Sequence, residues 1–204
     1  DRFQHKGLSV PRHIDYGKIL LHHYERTGGR NWKIITIVRD LIAVKIASFF
    51  ENLNLYLTDC SDLISADGAV NAAVAAKALQ DRLSNFDETT DYICTWFDKE
   101  IKQILKLDVF DYPFDHEKGY TIIKNGDKDL LILKAELLNA TFHESISTFL
   151  NIDYPFELKN AKISKKKYYS SAIKQVRNDL VVREDALMKI NSRRYMRHVY
   201  RLKT

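Results

Sequence analysis

A chain of 204 residues, 45% of them apolar, is long enough for one domain with a sizeable core. Seven Gly and three Pro exclude a collagen-like or low-complexity chain, and no apolar run approaches the roughly 18 residues needed to cross a bilayer. The net charge of +5 is uneven: residues 159–204 hold 14 Lys and Arg against 3 Asp and Glu, so the basic C-terminal third faces solvent, an anionic ligand or a protein partner.

Residues 1–17 are polar and mixed, broken by Pro11 and Gly17, and read as loop or partial helix. The chain opens on Asp1 and is expected to be a processed, trimmed or partial product. Lys18–Tyr24, KILLHHY, is predicted as a short strand ending in His22 and His23. Arg26-Thr27-Gly28-Gly29 has the glycines of a phosphate loop, but such loops run from a strand into a helix. Here the segment lies between two predicted strands, so it reads as a plain turn. Lys33–Val38, KIITIV, is apolar and β-branched, the pattern of a buried strand in a mainly parallel sheet. Arg39-Asp40 ends that run and a helix follows at once, with Ile42, Ile46, Phe49, Phe50, Leu53 and Leu57 at three- and four-residue steps facing the sheet. A turn of this kind is where open α/β sheets take anions, and the Arg39 guanidinium suits phosphate.

Ala66–Leu83 is alanine-rich and predicted helical, capped by Asp62 or Asp67. Asp91–Leu107 follows as an amphipathic helix with Ile93, Trp96, Phe97, Ile101, Ile104 and Leu105 inward. The segment DVFDYPFDHEKGY reads as an exposed, partly ordered connection. Tyr120–Lys124 and Leu130–Lys134 flank Asn125-Gly126, a hairpin signal. Thr141–Leu150 is a predicted helix with a Thr141–Glu144 capping box. Residues 151–164 read as loop, and helices follow near 167–180 and 183–191, with a last short segment to Tyr200. The sum is an α/β chain with helix in excess, forming one domain over 1–204. Cys60 and Cys94 show no CxxC and no adjoining histidines, so no metal is expected. They point to a reducing compartment, hence a cytoplasmic location. No helix-turn-helix or zinc pattern is present, so nucleic acid is not an expected partner.

Several segments recur in a recognisable order: IITIVRDLIAVKIASFFENL, WFDKE at Trp96–Glu100, DYPFDHEKGY, LLILKAELLN at Leu130–Asn139, FHESISTFLNI, NAKISKKKYYS at Asn160–Ser170, and RRYMRHVY at Arg193–Tyr200. In these the chain resembles the bacterial capsular polysaccharide synthesis proteins, a family itself similar to sulfotransferases that use 3′-phosphoadenosine 5′-phosphosulfate (PAPS). The resemblance runs from about Lys18 to the C-terminus. It implies a sulfotransferase-like (P-loop-type) parallel sheet flanked by helices, here lacking the N-terminal phosphosulfate-loop unit, as the C-terminal portion of a longer domain would. It implies that Arg39 and a helix serine hold the 3′-phosphate of the nucleotide. Ala47 occupies the family's serine position, which leaves its neighbour Ser48 as the candidate, and Leu41 replaces the family's proline. Lys165 and Lys166 would close over the nucleotide or bind an anionic glycan, and His22, in preference to His23, would be the base. Glu136 would fix the turn after the last strand. The implied activity is sulfuryl transfer from PAPS, without metal, to a carbohydrate hydroxyl in capsular or cell-surface polysaccharide synthesis. The alternative is a catalytically inactive sulfotransferase-fold protein that serves as a binding or structural subunit.

Overall fold

The computed structural model describes residues 12–27, 31–57, 61–85, 92–159 and 167–201. Helix α1 (Arg12–Arg26) leads into strand β1 (Trp32–Val38), and helix α2 (Leu41–Glu51) follows after two residues. Next come α3 (Ala72–Ser84) and one interrupted helix made of α4 (Tyr92–Trp96), a π-helical turn (Phe97–Lys102) and α5 (Gln103–Leu105). Strands β2 (Tyr120–Ile123) and β3 (Lys128–Lys134) precede α6 (Leu138–Leu150), α7 (Ser170–Asp179), α8 (Glu184–Asn191) and α9 (Arg194–Tyr200). The result is a helix-rich α/β fold.

The sheet is small and mixed rather than mainly parallel. Its order is β1-β3-β2: β1 runs parallel to β3, from Trp32 opposite Lys128 to Val38 opposite Lys134, and β2 pairs antiparallel to β3. The hairpin around Asn125-Gly126 is therefore as the sequence indicates, with Gly126 at φ 62°, a conformation glycine adopts without strain. The centre of the molecule is β3, whose Leu130, Leu131 and Leu133 have no exposed surface. Among the described residues β1 is an edge strand. Thr36 and Val38 are buried, but Ile35 and Ile37 remain 44% and 53% exposed, so the expectation of a buried strand holds for one face only.

Successive residues of a strand point to opposite faces, and the core divides accordingly. On one face Val38, Leu130, Ile132 and Ile123 pack with Phe97, Ile101, Leu105, Val109 and Met196. On the other, Tyr120, Leu131 and Leu133 meet Ile146 and Phe149 of α6. A third cluster joins α2, α3 and α7 through Phe49, Phe50, Leu79 and Ile173.

Four local expectations change. Lys18–Tyr24 belongs to α1, not to a strand; its short apolar run suits either period, and Leu21 and Tyr24 turn inward at helical spacing while Tyr16, Ile19 and Leu20 stay exposed. Helix α3 begins later than expected. Its cap is Asn71, whose side chain accepts from the Ala73 and Val74 amides, and not Asp62 or Asp67. There is no Thr141–Glu144 capping box, because α6 already starts at Leu138: the Thr141 hydroxyl donates to the Leu137 carbonyl, and Glu144 accepts from the Tyr120 hydroxyl. The segment DVFDYPFDHEKGY is packed, with Val109 and Phe114 in the core.

Candidate functional site

The carboxyl ends of the two parallel strands lie side by side, where Val38 is opposite Lys134. Both strands turn abruptly there, β1 into Arg39-Asp40 and β3 into a short 3-10 turn over Ala135–Leu137. Neither the sheet ladder nor helix α2 covers Arg39, so its backbone needs other partners. Tyr195 on α9 supplies both: its hydroxyl accepts from the Arg39 N–H at 3.0 Å and donates to the Arg39 carbonyl at 2.8 Å. Asp40 is held next. Its N–H donates to Glu136 Oε1 at 2.9 Å, and its carboxylate caps α2 by accepting from the Ala43 N–H at 2.8 Å. The second oxygen of Glu136 accepts from the Tyr200 hydroxyl at 3.0 Å. Two distant segments, at Glu136 and at Tyr195–Tyr200, thus converge on the Arg39-Asp40 turn; Glu136, expected to fix the turn after β3, is instead bonded to Asp40 and Tyr200.

Cationic residues stand beside the Asp40 and Glu136 carboxylates at this junction. Arg39 is half-buried, and among the described residues no side chain makes a hydrogen bond or ion pair with its guanidinium. The adjacent Asp40 makes no ion pair with it; one oxygen of that carboxylate caps α2. The Lys134 ammonium lies 4.4 Å from the centre of the Tyr200 ring. Arg201 follows directly after α9 in a left-handed conformation, φ 52°. Burial, followed by the Arg201 and Lys134 charges, lowers the pKa of His116 against the pull of the Val199 carbonyl and Asp115, so the imidazole is neutral at pH 7. His198 is likewise lowered, by burial first and then by His116 and Arg194, with Asp108 opposing. Burial, aided by Glu136 and Asp40, raises the Tyr195 hydroxyl far above the ordinary tyrosine range. Burial, then Tyr195 and Glu136, does the same for Tyr200. Both phenols therefore keep the protons that their hydrogen bonds require.

The arrangement can hold an anion by guanidinium and ammonium contacts. It also offers two imidazoles held in the neutral form, those of His116 and His198. Among the described residues no group of His, Cys, Asp or Glu could hold a metal ion.

The other expected site residues fall elsewhere. His22 is exposed on α1, two residues before Tyr24, which packs edge-on against Trp32 at 5.1 Å. That is the amino end of β1, about 20 Å from the mouth by strand length. His22 and His23 are consecutive helix residues, about 100° apart, rather than on opposite faces of a strand. Ser48 is exposed on α2, about 10 Å along the axis from the start of the helix. Ala47 beside it is half-buried. Lys165 and Lys166 lie outside the described residues, as do Gly28 and Gly29; the next lysine, Lys167, is paired with Glu51 at 2.9 Å. Helix α1 ends at Arg26 and β1 begins at Trp32, so the element before β1 is a helix and not the expected strand. A surface groove lined by Ser147, Asn151, Ile152 and Asp153 opens at the C-terminal end of α6, near the amino end of the sheet, where the Lys33 ammonium donates to the Phe149 carbonyl.

Arg39 does stand in the strand-to-helix turn where the sequence puts it, and the structure adds Tyr195, Tyr200, Lys134 and His116, which the sequence reading did not single out. For Tyr195 and Tyr200 no local signal exists, since their partners are remote in sequence. His116 stood in a segment taken as exposed, where the alternation of Val109, Phe110, Tyr112 and Phe114 was the available hint of packing.

No curated protein and no solved structure matches the chain. A family model does match, over residues 77–201, from α3 through Lys134, Glu136 and Tyr195 to Arg201; α1, β1, Arg39 and α2 precede the matched part. With well over half of its residues so matched, the chain belongs to the NKWYS family, described as "putative capsular polysaccharide synthesis protein".

Proposed function

We propose that the protein serves capsular polysaccharide synthesis by binding a phosphate-bearing nucleotide at the mouth of β1 and β3, and that the reaction is sulfuryl transfer from PAPS to a carbohydrate hydroxyl. The observation that carries the reading is Arg39, whose backbone is clamped by Tyr195 while its guanidinium has no acidic partner among the described residues. In such a transfer the sugar oxygen forms a bond to sulfur, the bond from sulfur to the phosphate oxygen breaks, and the hydroxyl proton passes to a base. Adenosine 3′,5′-bisphosphate leaves. Arg39 would hold its phosphate by charge-assisted hydrogen bonds, with Lys134 as a second cation. His22 is the base implied by resemblance. His116 is the other candidate, an imidazole kept neutral by burial and by the Arg201 and Lys134 charges that act on it. Ser48, Lys165 and Lys166 keep their assignment as further nucleotide contacts.

Calorimetric titration of adenosine 3′,5′-bisphosphate into the protein and into Arg39→Ala tests the reading. Binding in the micromolar range is expected for the wild-type chain, weakened at least about tenfold in the variant, since a charged hydrogen bond contributes ~1.5–3 kcal/mol. No binding, or equal binding by both, overturns it. A second reading, a sulfotransferase-fold subunit that binds without catalysis, is favoured by the position of His22 far from the mouth. It predicts nucleotide binding with no transfer of labelled sulfate to any polysaccharide acceptor.

A further inference from the structure

We infer that Tyr195 is the positioning residue for Arg39, aiming its guanidinium into the mouth by fixing both peptide planes that flank it. The inference rests on the reading above for its functional consequence, but the geometry stands by itself. Arg39 lies in the two-residue gap between β1, which ends at Val38, and α2, which begins at Leu41. Its N–H belongs to the peptide plane shared with Val38 and its carbonyl to the plane shared with Asp40. Those planes are rigid, so the only soft backbone variables are the φ and ψ between them. One hydroxyl that accepts from the first plane and donates to the second therefore sets both angles, and with them the direction of the Cα–Cβ bond.

The hydroxyl is itself well fixed. Tyr195 is 3% exposed, its ring lies 5.7 Å from that of Phe97, and the ring of Tyr200 is 6.3 Å away. Phe97 opens the π-helical turn, a rare geometry that often marks functional regions. Asp40, by contrast, is held by Glu136 and by its own capping contact, neither of which involves Tyr195. Removing the Tyr195 hydroxyl should consequently loosen Arg39 and leave the adjacent residue in place. Without it, an amide and a carbonyl lose their partner at a site the sheet and helix do not reach.

The test compares Tyr195→Phe with Tyr200→Phe. The latter breaks the contact to Glu136 but leaves both hydrogen bonds to Arg39. In the unliganded protein, hydrogen exchange at the Arg39 amide should rise about tenfold or more in Tyr195→Phe, with the amides of Ile34–Ile37 little changed. Unchanged exchange at Arg39, or an equal rise throughout β1, overturns the inference, because a purely structural tyrosine would act in those ways. In titrations with adenosine 3′,5′-bisphosphate, Tyr195→Phe should weaken binding about tenfold, and Tyr200→Phe less than about threefold. Equal weakening by the two variants also overturns it. If the wild-type protein binds no nucleotide, the functional reading fails, and the exchange experiment alone decides whether Tyr195 holds Arg39.

Discussion

At the scale of single residues, the mouth of the sheet depends on groups whose protonation states are set by burial. Tyr195 and Tyr200 stay protonated because ionising a buried phenol beside Glu136 is unfavourable. The two histidines bordering the mouth behave in the complementary way. His198 lies against the Phe110 ring, 5.2 Å between centres; burial first, then His116 and Arg194, favour its neutral form, and Asp108 opposes them. A histidine whose folded pKa is lowered binds fewer protons folded than unfolded. Its contribution to stability is complete above about pH 6.5 and is lost as pH falls through the lower folded value. The melting temperature is therefore expected to fall between about pH 7 and pH 5. In His198→Phe, which keeps the aromatic contact and cannot be protonated, that decline should be shallower. A melting curve series by circular dichroism checks this, and an identical slope in both proteins would refute the assignment.

At the scale of elements, β3 rather than β1 holds the fold together. Every side chain from Asp129 to Leu133 is buried, and helices flank both faces of the strand. Truncating Leu133 to alanine leaves a cavity between β3 and α6, at a cost of ~2–5 kcal/mol. Ile37→Thr on the exposed face of β1 should cost less than about 1 kcal/mol, since most of that side chain is already in water. Urea denaturation of both variants discriminates between a centre at β3 and one at β1. Asn71→Ala should cost about 1 kcal/mol through loss of the α3 cap, whereas Thr141→Ala should cost much less, because Thr141 caps nothing.

At the scale of the whole molecule, charge and topology act together. Lys174, Arg177, Lys189, Arg194, Arg197 and Arg201 are exposed on or beside α7, α8 and α9, so the basic third of the sequence does reach the surface. Lys174→Glu combined with Arg177→Glu is expected to elute from a cation exchanger at distinctly lower salt than the wild-type protein, with no loss of melting temperature. An unchanged elution would mean that other charges dominate the field.

The sequence by itself determined the α/β class, the hairpin at Asn125-Gly126, the strand-to-helix turn at Arg39 and the amphipathic helix that carries Phe97 and Ile101. Each of these follows from periodicity or turn chemistry within a few neighbouring residues. Only the tertiary structure decided that KILLHHY is helical, because an apolar run of three residues suits both periods until its packing partners are known. It alone decided that β1 is an edge, since pairing order depends on residues almost a hundred positions apart. The clamp on Arg39 joins residues 39 and 195, and Glu136 reaches Asp40 beside it, so no local pattern records which side chain a distant peptide will meet.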